Sequence, residues 1–133
     1  MVAMKTHTFK RKSADSLIVV PCYIGYDKLA LALDTGASHT TLDLTPLLVA
    51  GYEMKDAIRT EQIETASGVI EAHVFVVKEF SSLDIKRKNI EVCAYDFLAY
   101  HLLTDFDGVL GLDFFEDVKF CIDMQKNVIT TLQ

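Results

Sequence analysis

Asp34 stands directly after five apolar residues, Leu29-Ala30-Leu31-Ala32-Leu33, a run with the length of a buried strand. A carboxylate placed there leaves bulk water in part, and burial without compensation disfavours its charge. The next residues supply that compensation. Gly36 permits a tight turn and a close backbone approach, and its amide can donate to a carboxylate; Thr35 brings a hydroxyl donor to the same spot. A carboxyl held in this way is suited to giving or taking a proton. A plainer reading is that Asp34 caps a turn, since Asp-Thr-Gly is ordinary turn composition. A D-[ST]-G-[AS] match occurs by chance in about one chain in a hundred of this size.

Other chemistries fit less well. A phosphate-binding loop needs a set glycine spacing, a Lys-Ser/Thr pair and a long following helix, and none of these accompanies Gly36. A phosphoaspartate enzyme would want an acidic residue two positions after Asp34, where Gly36 stands. His7, His39, His73 and His101 lack metal-ligand spacing. Cys22, Cys93 and Cys121 are odd in number, widely spaced and set in apolar strand-like runs, which predicts reduced, buried thiols. Lys86-Arg87-Lys88 reads as a solvated turn.

The elements that must position Asp34 follow from the apolar runs. Residues 1–15 are polar and charged and are expected to form a flexible N-terminal arm, with one domain over 16–133. Residues 17–24 read as a strand, in which Pro21 suggests an edge position or a bulge. A turn at Gly25-Tyr26-Asp27-Lys28 leads into a strand over 29–33, so a hairpin delivers the chain to Asp34. Residues 45–51 predict a one-turn helix with Thr45 as cap, Pro46 at its first position and Gly51 at its end. Residues 58–66 and 69–80 are extended and meet at a tip, Ala66-Ser67-Gly68. Further strand is expected at 85 and 90–94, interrupted by the charged turn 86–89. Short helices are expected over 97–103 and 112–118, with a turn at Asp107-Gly108 between them and a closing hairpin of 119–124 and 128–132. The fold class is mostly β.

Half of the 133 residues are apolar and 24% are charged, the balance of a soluble globular protein. A net charge of −6 argues against a nucleic-acid binder, which would show a basic face. The longest apolar runs, 17–20 and 29–33, are too short to span a membrane. The basic N-terminal stretch lacks the apolar segment of a signal peptide, so a cytoplasmic location is expected.

The stretch L-A-L-D-T-G-A-S resembles the active-site loop of the retropepsin-like (retroviral-type) aspartic peptidases, whose D-[ST]-G-[AS] follows an apolar strand. Gly108-Val109-Leu110-Gly111 is similar to that family's two-apolar-plus-glycine element, which packs beside the catalytic loop and precedes a short helix; Leu112-Asp113-Phe114-Phe115 stands where that helix starts. The hairpin between the two resembles the family's flap. The order of these pieces accounts for residues 16–132.

The resemblance implies a single-domain acid-protease β-barrel with one or two short helices, active as an aspartic endopeptidase. Asp34 would be the catalytic carboxylate, Thr35 would bond across to a partner loop, and Gly36 would orient the carboxylate. Ala37 and Ser38 would complete the active-site loop and dimer contact, Ala66, Ser67 and Gly68 the flap, and Val109, Leu110 and Gly111 the support beneath the loop. Bilobal relatives carry two D-T-G loops in one longer chain. This chain has one, so a two-fold homodimer must complete the pair, its termini interleaving between subunits. Asp107 and Asp113 are no substitute, because neither lies in a D-[ST]-G loop. The substrate would be a peptide or protein, with no metal or organic cofactor, no nucleic acid and no membrane. Retroviral members pair an Asp four positions past the catalytic one with an Arg just after the second-motif glycine. Ser38 and Leu112 occupy those places here, a combination closer to cellular and bacterial relatives. Ala37 removes a hydroxyl common in pepsins, and the flap tip has a single glycine. The rival reading is a dimerisation or peptide-binding module that keeps the fold without turnover.

Overall fold

A period of two in burial sets the strands of the barrel: in the strand Val19–Ile24 the residues Val20, Cys22 and Ile24 point inward while Val19, Pro21 and Tyr23 face outward. The structure, a computed structural model, describes residues 3–65, 68–102 and 104–133. In chain order the strands are β1 (Met4–Thr8), β2 (Val19–Ile24), β3 (Asp27–Leu33), β4 (Thr41–Asp43), β5 (Arg59–Thr65), β6 (Gly68–Ser82), β7 (Ile85–Tyr95), β8 (Gly108–Leu110), β9 (Lys119–Asp123) and β10 (Val128–Leu132). One α-helix, α1 (Leu44–Val49), follows β4, and short 3-10 turns lie at Met54–Asp56, Leu98–Tyr100 and Leu112–Phe115.

The larger sheet runs β2-β3-β8-β4-β7-β6-β5, and β2 also pairs with β6, closing six strands into a barrel. Most pairs are antiparallel, but β3 lies parallel to β8 and β4 parallel to β7. The parallel pairs bring residues far apart in sequence side by side: Leu33 is opposite Leu110, and Thr41 is opposite Cys93. Leu31, Leu42, Phe75, Phe80, Leu110, Phe114 and Ile129 fill one core, all nearly or fully withdrawn from solvent. A second, three-stranded sheet, β1-β10-β9, lies against that core through Ile129 and Thr131.

Several expectations are corrected. Met4–Thr8, within the segment read as a flexible arm, is a strand paired along its whole length with β10. Its side chains are mostly exposed, so no apolar alternation announced it. The turn expected at 86–89 is instead part of the continuous β7, and the chain reverses at Leu83 and Asp84, whose φ angles of 53° and 60° suit a two-residue hairpin. Arg87 shows why: its guanidinium donates to the carbonyls of Phe114 and Glu116 and lies 5.9 Å from the Phe114 ring centroid. It is thus tied to the barrel, while Lys86 and Lys88 are exposed.

Helix α1 begins two residues earlier than predicted, with Asp43 at the cap position in place of Thr45. The Asp43 carboxylate does not cap the helix but accepts the N–H of Phe97 at 3.1 Å. Gly51 lies just past the end of α1 with φ +103°, as its placement predicted. The helical stretches over 97–103 and 112–118 shrink to the turns Leu98–Tyr100 and Leu112–Phe115, and Leu103 lies outside the described residues. Cys22 and Cys93 are buried free thiols, and burial pushes Cys22 up to about 12; Cys121 is exposed, contrary to expectation, because it points away from the core on the edge strand β9. Among the described residues no helix is long and apolar enough to cross a membrane.

Candidate active site

Strand β3 ends at Leu33, and Asp34 follows where the chain leaves the barrel. The Asp34 amide donates to the carbonyl of Leu110 at 3.1 Å, which extends the parallel β3–β8 pairing by one rung. A tight turn then closes, with the Ala37 N–H donating to the Asp34 carbonyl at 3.1 Å. Within it the Gly36 N–H donates to Oδ1 of Asp34 at 2.9 Å, which fixes the carboxylate against the backbone. A Cβ at Gly36 would lie 3.2 Å from that same oxygen, so a side chain there would crowd the carboxylate. Asp34, Thr35 and Gly36 are exposed, so the desolvation expected of Asp34 is not met within this chain. The Thr35 hydroxyl has no hydrogen-bond partner among the described residues. Ser38 Oγ lies 2.9 Å from Nδ1 of His39, and both are exposed.

The floor under this turn is β8 and the residues after it. The Leu112 N–H donates to the Ala37 carbonyl at 2.8 Å. Gly111 donates its N–H to Oγ1 of Thr40 at 3.1 Å, and a Cβ on Gly111 would fall 2.6 Å from the carbonyl carbon of His39. Thr40 is buried, and its N–H reaches both carboxylate oxygens of Asp113, at 3.0 and 3.1 Å, while its hydroxyl donates to Oδ1 at 2.8 Å. Gly108 is equally constrained: its φ is +153°, and a Cβ would lie 2.2 Å from the Thr41 carbonyl oxygen.

The structure therefore brings together Asp34, Gly36, Ala37, Leu110 and Gly111, all named from the sequence. Val109 pairs with Ala32 of β3 and with Thr41 of β4. At the tip of the β5–β6 hairpin, Ala66 and Ser67 lie outside the described residues. Gly68 is exposed with φ +125°, pairs with Thr65, and its carbonyl accepts the Thr65 hydroxyl at 2.9 Å. Sequence reasoning missed Thr40, named Gly108 only as part of the second motif and of a turn, and passed over Asp113. Asp113 and Thr40 are 73 positions apart, so no local pattern joins them.

Asp43, Asp105 and Asp107 line a cavity of about 300 Å³ with Phe97, Leu98 and Leu102. Two of these carboxylates are already engaged by backbone: Asp43 by Phe97, and Asp107 by the Ala30 N–H at 2.9 Å. Among the described residues no group of three or more His, Cys, Asp or Glu has the arrangement of a metal site. A lone, backbone-fixed carboxylate can act as acid or as base, but one chain supplies only one such group in a D-T-G turn.

Residues 20–114 match a family model described as aspartyl protease. No curated protein matches the chain by sequence. Among solved structures, a retropepsin-like aspartic protease from Rickettsia conorii superposes with a TM-score of 0.71 at 20% identity, over 99% of this chain and 92% of that one. At that identity the likeness is one of fold: the closed barrel is retropepsin-like.

Proposed function

Because this chain belongs to the aspartyl protease family, we propose that it is an aspartic endopeptidase assembled from two copies, each giving one Asp34 to a shared site. The observation that carries this is the Asp34 turn itself: an exposed carboxylate, fixed by its own Gly36 amide and riveted to β8, with an unengaged Thr35 hydroxyl beside it. A two-fold axis next to this turn would set two such carboxylates face to face and let each Thr35 bond the opposite loop. The second subunit would also supply the desolvation that one subunit lacks.

Two carboxyls in contact cannot both ionise easily, so the pair holds one proton. The ionised member takes a proton from a water, whose oxygen attacks the peptide carbonyl carbon. The protonated member donates to the carbonyl oxygen, giving a tetrahedral diol. The proton taken from water then passes to the departing amine as the C–N bond breaks, while the other carboxylate takes a proton from a diol hydroxyl as the product acid forms, so the pair again holds one proton. An extended peptide would be held through its main chain as an added strand beside the β5–β6 hairpin. The chemistry needs no metal.

Asp34→Asn tests the reading. It keeps the shape and one acceptor oxygen while removing both carboxyls of the pair, so hydrolysis of a diverse peptide mixture should fall to background with the fold retained by circular dichroism. Cleavage undiminished in the variant would sink the assignment of Asp34. A wild type that binds peptides and cleaves none at any pH would favour the silent binding module.

A further inference from the structure

We propose that Thr40 and Asp113 act as a positioning pair that holds the Asp34 turn in register for proton transfer, an inference that rests on the reading of Asp34 above. Thr40 is 0% exposed and every polar atom it has is used. Its N–H and hydroxyl both donate to the Asp113 carboxylate, and its carbonyl accepts the Cys93 N–H at 3.1 Å. Its Oγ1 accepts the Gly111 N–H at 3.1 Å. An amide can only donate, so Gly111 fixes the hydroxyl oxygen as acceptor and directs its proton to Asp113. Asp113 thus serves Thr40 as an acceptor from both its N–H and its hydroxyl.

The consequence reaches Asp34 by a short relay. Asp113 holds Thr40, Thr40 holds the Gly111 amide, and the adjoining Leu110 carbonyl holds the Asp34 amide. Leu112 N–H on the Ala37 carbonyl makes a second rung across the same gap. From Gly111 to Asp34 the relay runs through backbone, and the Thr40 side chain that precedes it is fully buried, which leaves little freedom to absorb a shift. Asp113 is bonded to Thr40 and not to Asp34, so its part is to position.

Thr40→Val removes the hydroxyl at nearly constant shape, Thr40→Ser restores it, and Asp113→Asn keeps the shape of the acid but turns one acceptor into a donor facing the Thr40 N–H. On a fluorogenic peptide that the wild type cleaves, Thr40→Val and Asp113→Asn should each lose about 10- to 100-fold in kcat, with KM within about threefold of wild type. Thr40→Ser should stay within about threefold in kcat, and the double variant should fall little below the worse single one, as expected of two residues in one relay. Unchanged kcat in folded Thr40→Val and Asp113→Asn, or a Thr40→Ser as impaired as Thr40→Val, would overturn the pair. Amide exchange at Asp34 and Ala37 in the same proteins requires no turnover. Faster exchange there in Thr40→Val than in Thr40→Ser supports the tether, and equal exchange refutes it. A wild type without hydrolytic activity would therefore defeat the reading of Asp34 while leaving the tether decided by exchange. Should Thr40→Val fail to fold, Asp113→Asn against Thr40→Ser gives the same comparison.

Discussion

Gly111 has no room for a β-carbon: one built there would lie 2.6 Å from the His39 carbonyl carbon, 2.8 Å from its oxygen and 2.9 Å from the Thr40 nitrogen. These are backbone atoms of the loop that carries Asp34, so they cannot yield without moving that loop. Gly111→Ala should therefore destabilise by about 2–3 kcal/mol, the cost of overpacking a close-packed contact. It should also reduce hydrolysis beyond what the unfolded fraction explains. Thermal unfolding beside a kcat measured on the folded protein separates the two, and a variant of wild-type stability would refute the close approach. Asp34, Gly36 and Gly111 were legible in the sequence because each belongs to a short local pattern. Thr40 and Asp113 were not, since a threonine and an aspartate 73 residues apart acquire meaning only when the parallel β3–β8 pairing sets their loops side by side. Ser38 and Leu112, the places where retroviral relatives carry a charged pair, bear no complementary charges. The side-chain tie between loop and turn is made instead by Thr40 and Asp113.

Among the elements, β10 carries more of the fold than its place at the chain end suggests. It is the middle strand of β1-β10-β9, and Ile129 and Thr131 are almost fully withdrawn from solvent. β1 is different: it borders β10 on one side only, its side chains face solvent apart from a half-buried His7, and His7 Nε2 stands 3.3 Å from a carboxylate oxygen of Asp84. Deleting residues 1–8 should cost on the order of 1–2 kcal/mol, from one strand's edge hydrogen bonds, and leave cooperative unfolding. Deleting 128–133 should abolish folding, because it empties the core at Ile129. Urea titration followed by circular dichroism distinguishes these, and comparable losses from the two deletions would contradict the placement of β10. In the larger sheet β2, β3, β5 and β6 were readable from apolar alternation and turn residues, whereas β4 and β8, three residues each, were not read as strands. β1 was not, since backbone pairing to β10 forms it without any apolar stripe, and the continuous β7 was obscured because Arg87 looks like a solvated charge until Phe114 and Glu116 are beside it. The pairing of β10 on both flanks within its own chain also means that a partner strand beside β10 would have to displace β1 or β9, while among the described residues β1 and β9 each keep one edge unpaired.

For the whole molecule the question is whether one subunit suffices. The chain has a single D-T-G turn, and its Asp34 is exposed rather than enclosed. A one-chain enzyme would need a second acid nearby, but Asp113 is consumed by Thr40, and Asp107 and Asp43 by the amides of Ala30 and Phe97. A shared site makes a distinctive prediction for mixtures of wild type and Asp34→Asn. A mixed dimer holds one carboxyl and one amide, so it lacks either the base or the acid and should be inactive. At fixed wild-type concentration an equal amount of variant should place half the wild-type subunits in mixed dimers and lower activity to roughly half, and a tenfold excess should lower it to roughly one-tenth. The experiment is run well above the concentration at which dimers part, fixed by sedimentation, so that added variant does not simply recruit wild-type monomers. Bovine serum albumin added at the same mass controls for dilution and surface loss. Activity that stays constant as the variant is added would mean that each chain works alone, and the two-copy site would have to be abandoned even if Asp34 proved essential.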